Sequence, residues 1–309
     1  MKTVCIITLG CKINQYESAQ FAAKYAAEGW KVVQKFTPNA DLYIVNTCAV
    51  TGFAEKKSRY EVSRIKRNNP HATTMVCGCT TDRALNKSVE NKCASQPRRR
   101  AFVKVQDGCN NFCSYCIVPH IRGRSTSRPI SEIINELKGS ECADKSIVLT
   151  GIDLSDFKPG LGELCTEVNK LARPFELSSL EVRIITEDFL KTLKNCENFI
   201  PKFHLPLQSG SDAVLYAMNR PYKTFEYAEA ISKIQGAFQS AVISTDIIVG
   251  FPSETDKDFQ QTLDFAKKIN FNSIHVFPYS VRNGTPAGEM KQLPSHVITE
   301  RAAALRRIC

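Results

Sequence analysis

No stretch of about 18 consecutive apolar residues occurs in this 309-residue sequence, which argues against a transmembrane helix and a membrane partner. The first apolar stretch, Val4–Leu9, is cut short by Gly10-Cys11-Lys12 and is followed by no small-residue cleavage site. It reads as a β-strand, not as a signal peptide. No internal repeat is evident, so solenoid and propeller architectures are excluded. Acidic residues are scarce: 31 Asp and Glu stand against 41 Lys and Arg, a net charge of +10 that favours a polyanionic partner. The 43% hydrophobic and 23% charged fractions are those of an ordinary globular protein, long enough for two domains.

Cysteine, by contrast, is plentiful. Thirteen is an odd count, in a chain too large to need disulfide staples. Without a secretion signal, this points to a reducing cytoplasm and to metal ligation or buried thiols. Cys5, Cys142, Cys165 and Cys196 lie in apolar or helical surroundings and read as small buried hydrophobes. Cys109, Cys113 and Cys116 differ, because they form a C-x₃-C-x₂-C run. Three thiolates so spaced can hold three irons of a [4Fe–4S] cluster and leave the fourth iron open to a small molecule. A zinc knuckle or a closed cluster would need a fourth ligand close by. His120, four residues after Cys116, is the nearest candidate.

Residues 1–80 alternate between strand and helix. Val4–Leu9, Leu42–Val45 and Thr74–Val76 read as strands, with helices over Asn14–Glu28 and Phe53–Arg67. Alternation with apolar strands predicts a doubly wound parallel sheet. Each strand runs into a cysteine: Cys11, Cys48 and Cys79 in turn. Loops at the carboxyl ends of parallel strands lie together, so these three converge on a second metal site. Cys77 competes with Cys79, but reads as part of the strand. The polar stretch over residues 81–101 marks a boundary, with one domain over 1–95 and another over 96–309.

In the second part six strands are predicted: Phe102–Val105, Ser146–Leu149, Leu177–Leu180, Phe203–Leu205, Val242–Val249 and Ser273–Phe277. Helices near Ser131–Lys138, Gly162–Leu171, Glu187–Leu193, Thr224–Gly236 and Asp256–Ile269 separate them. Six β/α units make a partial (β/α)6 barrel with its chemistry at the carboxyl ends of the strands. The cysteine run follows the first of them. Basic side chains cluster nearby: Lys56, Lys57, Arg59, Arg64, Lys66 and Arg67 on one helix, Arg98–Arg100 in a run, and Arg122, Arg124 and Arg128 after the cysteines. They suggest contact with nucleic acid.

Residues 102–280 resemble a radical S-adenosylmethionine (SAM) enzyme, and the whole chain resembles the tRNA methylthiotransferases. The matching segments are Thr8–Ser18, Asn46–Thr51, Cys77-Gly78-Cys79, Val105–Pro119, Arg122-Gly123-Arg124, Leu205–Asp212, Ile247–Thr255 and His275–Thr285. The form from Lys12 to Ser18 resembles the branch acting on N6-threonylcarbamoyladenosine at tRNA position 37, rather than those acting on isopentenyladenosine or a ribosomal protein aspartate. The resemblance implies a SAM cluster on Cys109, Cys113 and Cys116 and an auxiliary [4Fe–4S] cluster on Cys11, Cys48 and Cys79. It implies methylthio transfer to adenine C2, with tRNA, a flavodoxin-like or ferredoxin-like electron donor and a sulfur source as partners. A catalytically silent Fe–S protein that only binds RNA is the rival reading. Tyr115, Thr150, Gly151, Ser179, Gln208, Gly250, Phe251 and Pro252, at or near strand ends, are the expected SAM contacts. Lys56, Lys57, Arg59 and Arg64 are the expected RNA contacts.

Three departures from the family pattern stand out. Glu176 and Val182 replace the usual Arg and Pro around the third barrel strand. The stretch from Cys79 to Cys109 is short, and the family's small C-terminal β-barrel is not part of the sequence. Weakened RNA affinity is the expected consequence.

Overall fold

The computed structural model describes residues 1–79, 100–139 and 145–308. The expected domain boundary near residue 95, Arg98, Arg99 and Cys142 all lie outside them.

Strand alternation builds the first sheet. Along β1 (Thr3–Thr8), Val4 and Ile6 face one side and Cys5 the other. Helix α1 (Lys12–Ala27) covers the first side through Phe21, Ala22 and Tyr25. Next come β2 (Lys31–Val33), β3 (Leu42–Thr47), α2 (Gly52–Asn68) and β4 (Thr73–Gly78). Helix α2 covers the opposite side with Ala54, Val62 and Ile65 against Cys5, Tyr43 and Val45. The order is β2-β1-β3-β4 and every pairing is parallel. The fold is therefore doubly wound, as the alternation predicts. The strand order reverses between β1 and β3, the point at which such sheets bind ligands. Short β2 escaped the sequence reading; it is a three-residue edge strand.

The second unit opens with β5 (Arg100–Lys104) and β6 (Gln106–Asp107). The cysteine loop, α3 (Val118–Arg122) and β7 (Thr126–Ser127) follow, and β6 pairs antiparallel with β7 to make a short ribbon beneath the loop. After α4 (Ile130–Lys138) come β8 (Ser146–Thr150), α5 (Leu161–Asn169), β9 (Phe175–Leu177), α6 (Glu187–Lys194) and β10 (Lys202–His204). The chain closes with α7 (Asp212–Ala217), α8 (Thr224–Ala237), β11 (Val242–Val249), α9 (Asp256–Ile269), β12 (Ser273–Pro278) and α10 (Ser295–Arg306). Strands β5-β8-β9 and β10-β11-β12 form two parallel sheets. A parallel bridge between Ser179 and His204 joins them into a six-stranded open barrel. Its core packs Val103, Leu149, Phe175, Phe203, Ile243 and Ile247 against the surrounding helices.

The two units share buried contacts. Tyr16 of α1 packs with Phe102 and Val148, and its hydroxyl donates to Glu136 of α4 at 3.2 Å. Glu136 also accepts from Arg128 at 2.7 Å. On the other flank, Arg282 reaches the carbonyl of Ala49 and the carboxylate of Glu55. Gly52 N–H donates to Ser280 Oγ at 2.8 Å. The loop that follows Cys48 is thus fixed over the mouth of the barrel.

Candidate active site

Strand ends set the first cysteine group. Asn14, fully buried in the first turn of α1, donates to Asn46 Oδ1 at 2.7 Å and to the Thr47 carbonyl at 2.8 Å. Asn46 returns a bond to the Asn14 carbonyl at 2.9 Å. Cys79 N–H donates to the Thr47 carbonyl at 3.0 Å. This amide clasp fixes the loops of Cys11, Cys48 and Cys79 against one another. Gly78 completes it: its φ is +84°, and a Cβ there would meet Asn46 Oδ1 at 2.2 Å. Burial pushes the Cys48 thiol up to about 11, and Cys79 and Cys11 add in the same direction. Cys79 is likewise raised by burial, with Arg122 opposing and Cys11 adding. The three sulfurs are near enough to feel each other's charge. Cys77 lies within β4, paired with Asn46 and packed against Val4 and Ile6, so it faces the α1 side of the sheet. Cys5, Cys165 and Cys196 are buried free thiols, as their surroundings predict.

The second group lies between β6 and α3. Burial raises Cys109 to about 11 and Cys116 to about 12, with neighbouring cysteines adding to both. Asn111 N–H points at Cys109 Sγ (3.4 Å), and Arg220 donates Nη1–H to Cys113 Sγ at 3.2 Å. Arg220 is itself buried and paired with Glu181. His120 is exposed, its ring edge-on to Phe112. Among the described residues, the cysteines form no trio of sulfurs within 4.8 Å of one another. Sulfurs around one tetrahedral zinc would stand about 3.8 Å apart, from Zn–S bonds of about 2.3 Å.

Arg122 joins the two groups. Its Nε–H donates to Cys79 Sγ at 3.3 Å, and its remaining donors reach Glu17 at 3.0 Å and Asp107 at 3.1 Å. Burial alone would lower its pKa, but Glu17, Cys79 and Asp107 together hold it above the usual arginine value. The sequence places Arg122 and Arg128 in a basic patch. The structure corrects this: both are buried in ion pairs and offer nothing to a phosphate. Arg124 stacks on Phe112 at 4.4 Å.

Between the loop after Cys48 and the barrel lumen lies a cavity of about 150 Å³, lined by Val50, Thr51, Tyr115, Gln208, Asp246 and Ile248 among others. Tyr115 and Gln208 were expected at such a site. Gln208 holds a left-handed φ of +66°, and its backbone bridges to Ile247 on β11. Strained positions of this kind cluster at functional sites. The other expected SAM contacts do not line the cavity. Thr150 is buried at the end of β8, and a Cβ on Gly151 would meet Gln106 Oε1 at 2.8 Å. Gly250 was expected to admit SAM; its close approach belongs instead to Ile298 of α10, 2.6 Å from a Cβ placed there. Phe251 is fully buried, edge-on to Tyr279, so its ring serves packing, and Pro252 follows it half-buried. Ser179 hydrogen-bonds His204 Nδ1 at 2.8 Å. A wider cleft of about 590 Å³ lies outside the barrel between α7 and α9 and holds no cysteine.

Helix α2 presents Lys56, Lys57 and Arg59 outward. Arg59 pairs with Glu55, while Arg64 pairs with Glu61 and stacks on Phe36 at 3.8 Å. No helix among the described residues is long and apolar enough to cross a membrane.

Known proteins resemble this chain. Residues 103–266 match the Radical SAM superfamily, and residues 3–96 match the uncharacterized protein family UPF0004. The chain is 34% identical to a threonylcarbamoyladenosine tRNA methylthiotransferase of Chlamydia pneumoniae, over 99% of this chain and 82% of that one. A Bacillus subtilis protein of the same description is also 34% identical, over 99% and 80%. A tRNA-2-methylthio-N(6)-dimethylallyladenosine synthase of Acetivibrio thermocellus is 30% identical, over 97% and 75%. Among solved structures, the radical SAM methyltransferase TsrM of Kitasatospora setae superposes with a TM-score of 0.64 at 12% identity, covering 93% of this chain and 77% of that one. This likeness concerns the fold alone. The chain belongs to the radical SAM tRNA methylthiotransferase family. It is an enzyme that uses SAM and a [4Fe–4S] cluster to transfer a sulfur-containing group.

Proposed function

We propose that the chain converts N6-threonylcarbamoyladenosine at position 37 of tRNA to its 2-methylthio derivative. Cys109, Cys113 and Cys116 would hold the SAM cluster, and Cys11, Cys48 and Cys79 a second one. When bound, the clusters and SAM supply the radical and the methylthio sulfur. The protein's own residues do the rest. The Asn14–Asn46 clasp would hold the loops of Cys11, Cys48 and Cys79 together. Arg122 ties those thiolates to the SAM-cluster loop, and Tyr115 and Gln208 line the cavity between.

One observation carries this reading: Arg122, six residues beyond Cys116, donates to Cys79 at 3.3 Å, which supports the two cysteine groups serving one site. The threonylcarbamoyl substrate is supported by the Lys12–Ser18 segment and by the names of the two relatives at 34% identity. Lys56, Lys57, Arg59 and Arg64 would meet the tRNA backbone. A flavodoxin-like or ferredoxin-like electron donor, a sulfur source and a cytoplasmic setting complete the proposal. Mass spectrometry of tRNA nucleosides from cells with and without this chain tests it. The 2-methylthio-threonylcarbamoyl nucleoside should vanish without the chain, and its persistence at full level would refute the reading.

A further inference from the structure

Strand β11 alternates strictly. Ile243, Thr245, Ile247 and Val249 are buried, while Ser244, Asp246 and Ile248 face the lumen. Asp246 lies in register with His275 of β12, and His204 of β10 flanks it on the other side. His204 Nε2 lies 2.9 Å from Asp246 Oδ1, and His275 Nδ1 lies 3.0 Å from the same oxygen. Ser179 Oγ meets His204 Nδ1 at 2.8 Å. One proton arrangement satisfies all three contacts: Ser179 donates to His204, and both imidazoles donate to Asp246. It leaves Asp246 Oδ2 and His275 Nε2 without a hydrogen bond among the described residues. The His275 side chain is 57% exposed, so the chain of polar groups runs from the barrel wall out to open space. Asp246 also lines the cavity that holds Tyr115 and Gln208.

We propose that Asp246 and His275, positioned by His204 and Ser179, form the subsite for a polar substituent on N6 of the target adenine. This inference rests on the proposed function and names the groups that read its substrate. A threonylcarbamoyl group offers a urea N–H, a carbonyl, a hydroxyl and a carboxylate. Asp246 Oδ2 accepts the urea N–H, and His275 Nε2 accepts the hydroxyl hydrogen. A dimethylallyl group offers none of these. Placed here it would strip water from a carboxylate and an imidazole without replacing the hydrogen bonds, which opposes binding. The site therefore selects the polar substituent over the apolar one, on grounds independent of the names of related proteins.

Binding separates this inference from the reading beneath it, because it needs no turnover. Cluster-loaded protein is titrated with three anticodon stem-loops bearing threonylcarbamoyladenosine, dimethylallyladenosine or plain adenosine at position 37. Wild-type protein should prefer the first by about 10-fold or more, in line with one or two buried polar contacts. His275→Phe should erase that preference while iron content stays unchanged, and His275→Gln should keep part of it. Asp246→Asn should weaken the first stem-loop selectively. Equal affinity for all three in wild type, or a preference that survives His275→Phe, would overturn the subsite. Metal analysis covers the alternative occupant. The three ligand atoms lie within 4.8 Å of one another, as a divalent cation would require. A stoichiometric metal other than cluster iron, lost in His275→Phe, would make this a metal site and also overturn the proposal. Absence of methylthio product alongside intact stem-loop preference would count against the reaction and in favour of the subsite.

Discussion

Arg122 ends helix α3 and Cys79 follows strand β4, 43 residues apart in sequence, yet Nε of one donates to Sγ of the other at 3.3 Å. The arginine holds position because Glu17 of α1 and Asp107 of β6 grip its other nitrogens, and only 5% of its side chain is exposed. It is the structural hinge of the proposed two-cluster site.

Arg122→Met should therefore cost stability as well as function. Removing the arginine takes charged hydrogen bonds from Glu17 and Asp107 but leaves Lys104 between them, at 3.3 and 3.1 Å, so the loss should be about 1–3 kcal/mol. Arg122→Lys should recover much of the stability, since a cation returns, but not the oriented Nε–H donor. Chemical denaturation of both variants checks this. Equal stability of Arg122→Met and the parent would deny the network its structural role.

Cys77 and Cys79 make a matched pair of controls. Cys79→Ala should lower the iron bound after anaerobic reconstitution toward about four per chain, whereas Cys77→Ala should leave about eight. Iron assays with Cys77→Ala falling to about four would move the ligand role from Cys79 to Cys77.

Helix α2 should carry a salt-dependent part of tRNA binding. Removing a cationic side chain that neutralises one phosphate makes the slope of log affinity against log salt shallower by about 0.7–0.9. Changing Lys56, Lys57, Arg59 and Arg64 to Ala should flatten that slope, and the two lysines, free of the carboxylate and aromatic partners of Arg59 and Arg64, should contribute most. An unchanged slope would leave α2 as a solvated helix face.

Acid stability has a local source in Asp258. Burial opposes its charge, but hydrogen bonds from Ser211 and Thr255 prevail and hold its pKa below the usual aspartate value. A depressed acid stabilises the fold above its unfolded pKa, near about 3.9, and that contribution is lost as pH falls through the folded value. Asp258→Asn should lower stability at neutral pH, where the charged form contributes, and flatten the acid limb of stability against pH below that point. A parallel acid limb in the variant would contradict the assignment.

The strand ends and the cysteines were legible because period-two and 3.6-residue patterns, and C-x₃-C-x₂-C spacing, are local. Strand β11 was expected over Val242–Val249 and lies there. The third barrel strand was expected over Leu177–Leu180 but occupies Phe175–Leu177, because the chain leaves the ladder at Ser178 and bridges to His204 through Ser179. The clasp of Asn14 on α1 and Asn46 on β3 is not legible in the sequence, since an asparagine reads as solvent-facing until the fold buries it. Gly78 beside Cys79 was the available hint. Arg122 and Arg128 read as a basic patch for the same reason: a cluster of arginines does not reveal which of them the fold sets against carboxylates, here Glu17 and Asp107 for Arg122 and Glu136 for Arg128.

The account's central claim is that two cysteine triads in two units serve one reaction with separate duties. Its most direct test replaces Cys11, Cys48 and Cys79 by Ala together, then measures iron, 5′-deoxyadenosine and methylthio nucleoside in the same anaerobic assay with tRNA. The account predicts about four irons per chain, continued reductive SAM cleavage and no methylthio product. Methylthio product formed by that variant, or iron retained at about eight per chain, would contradict it.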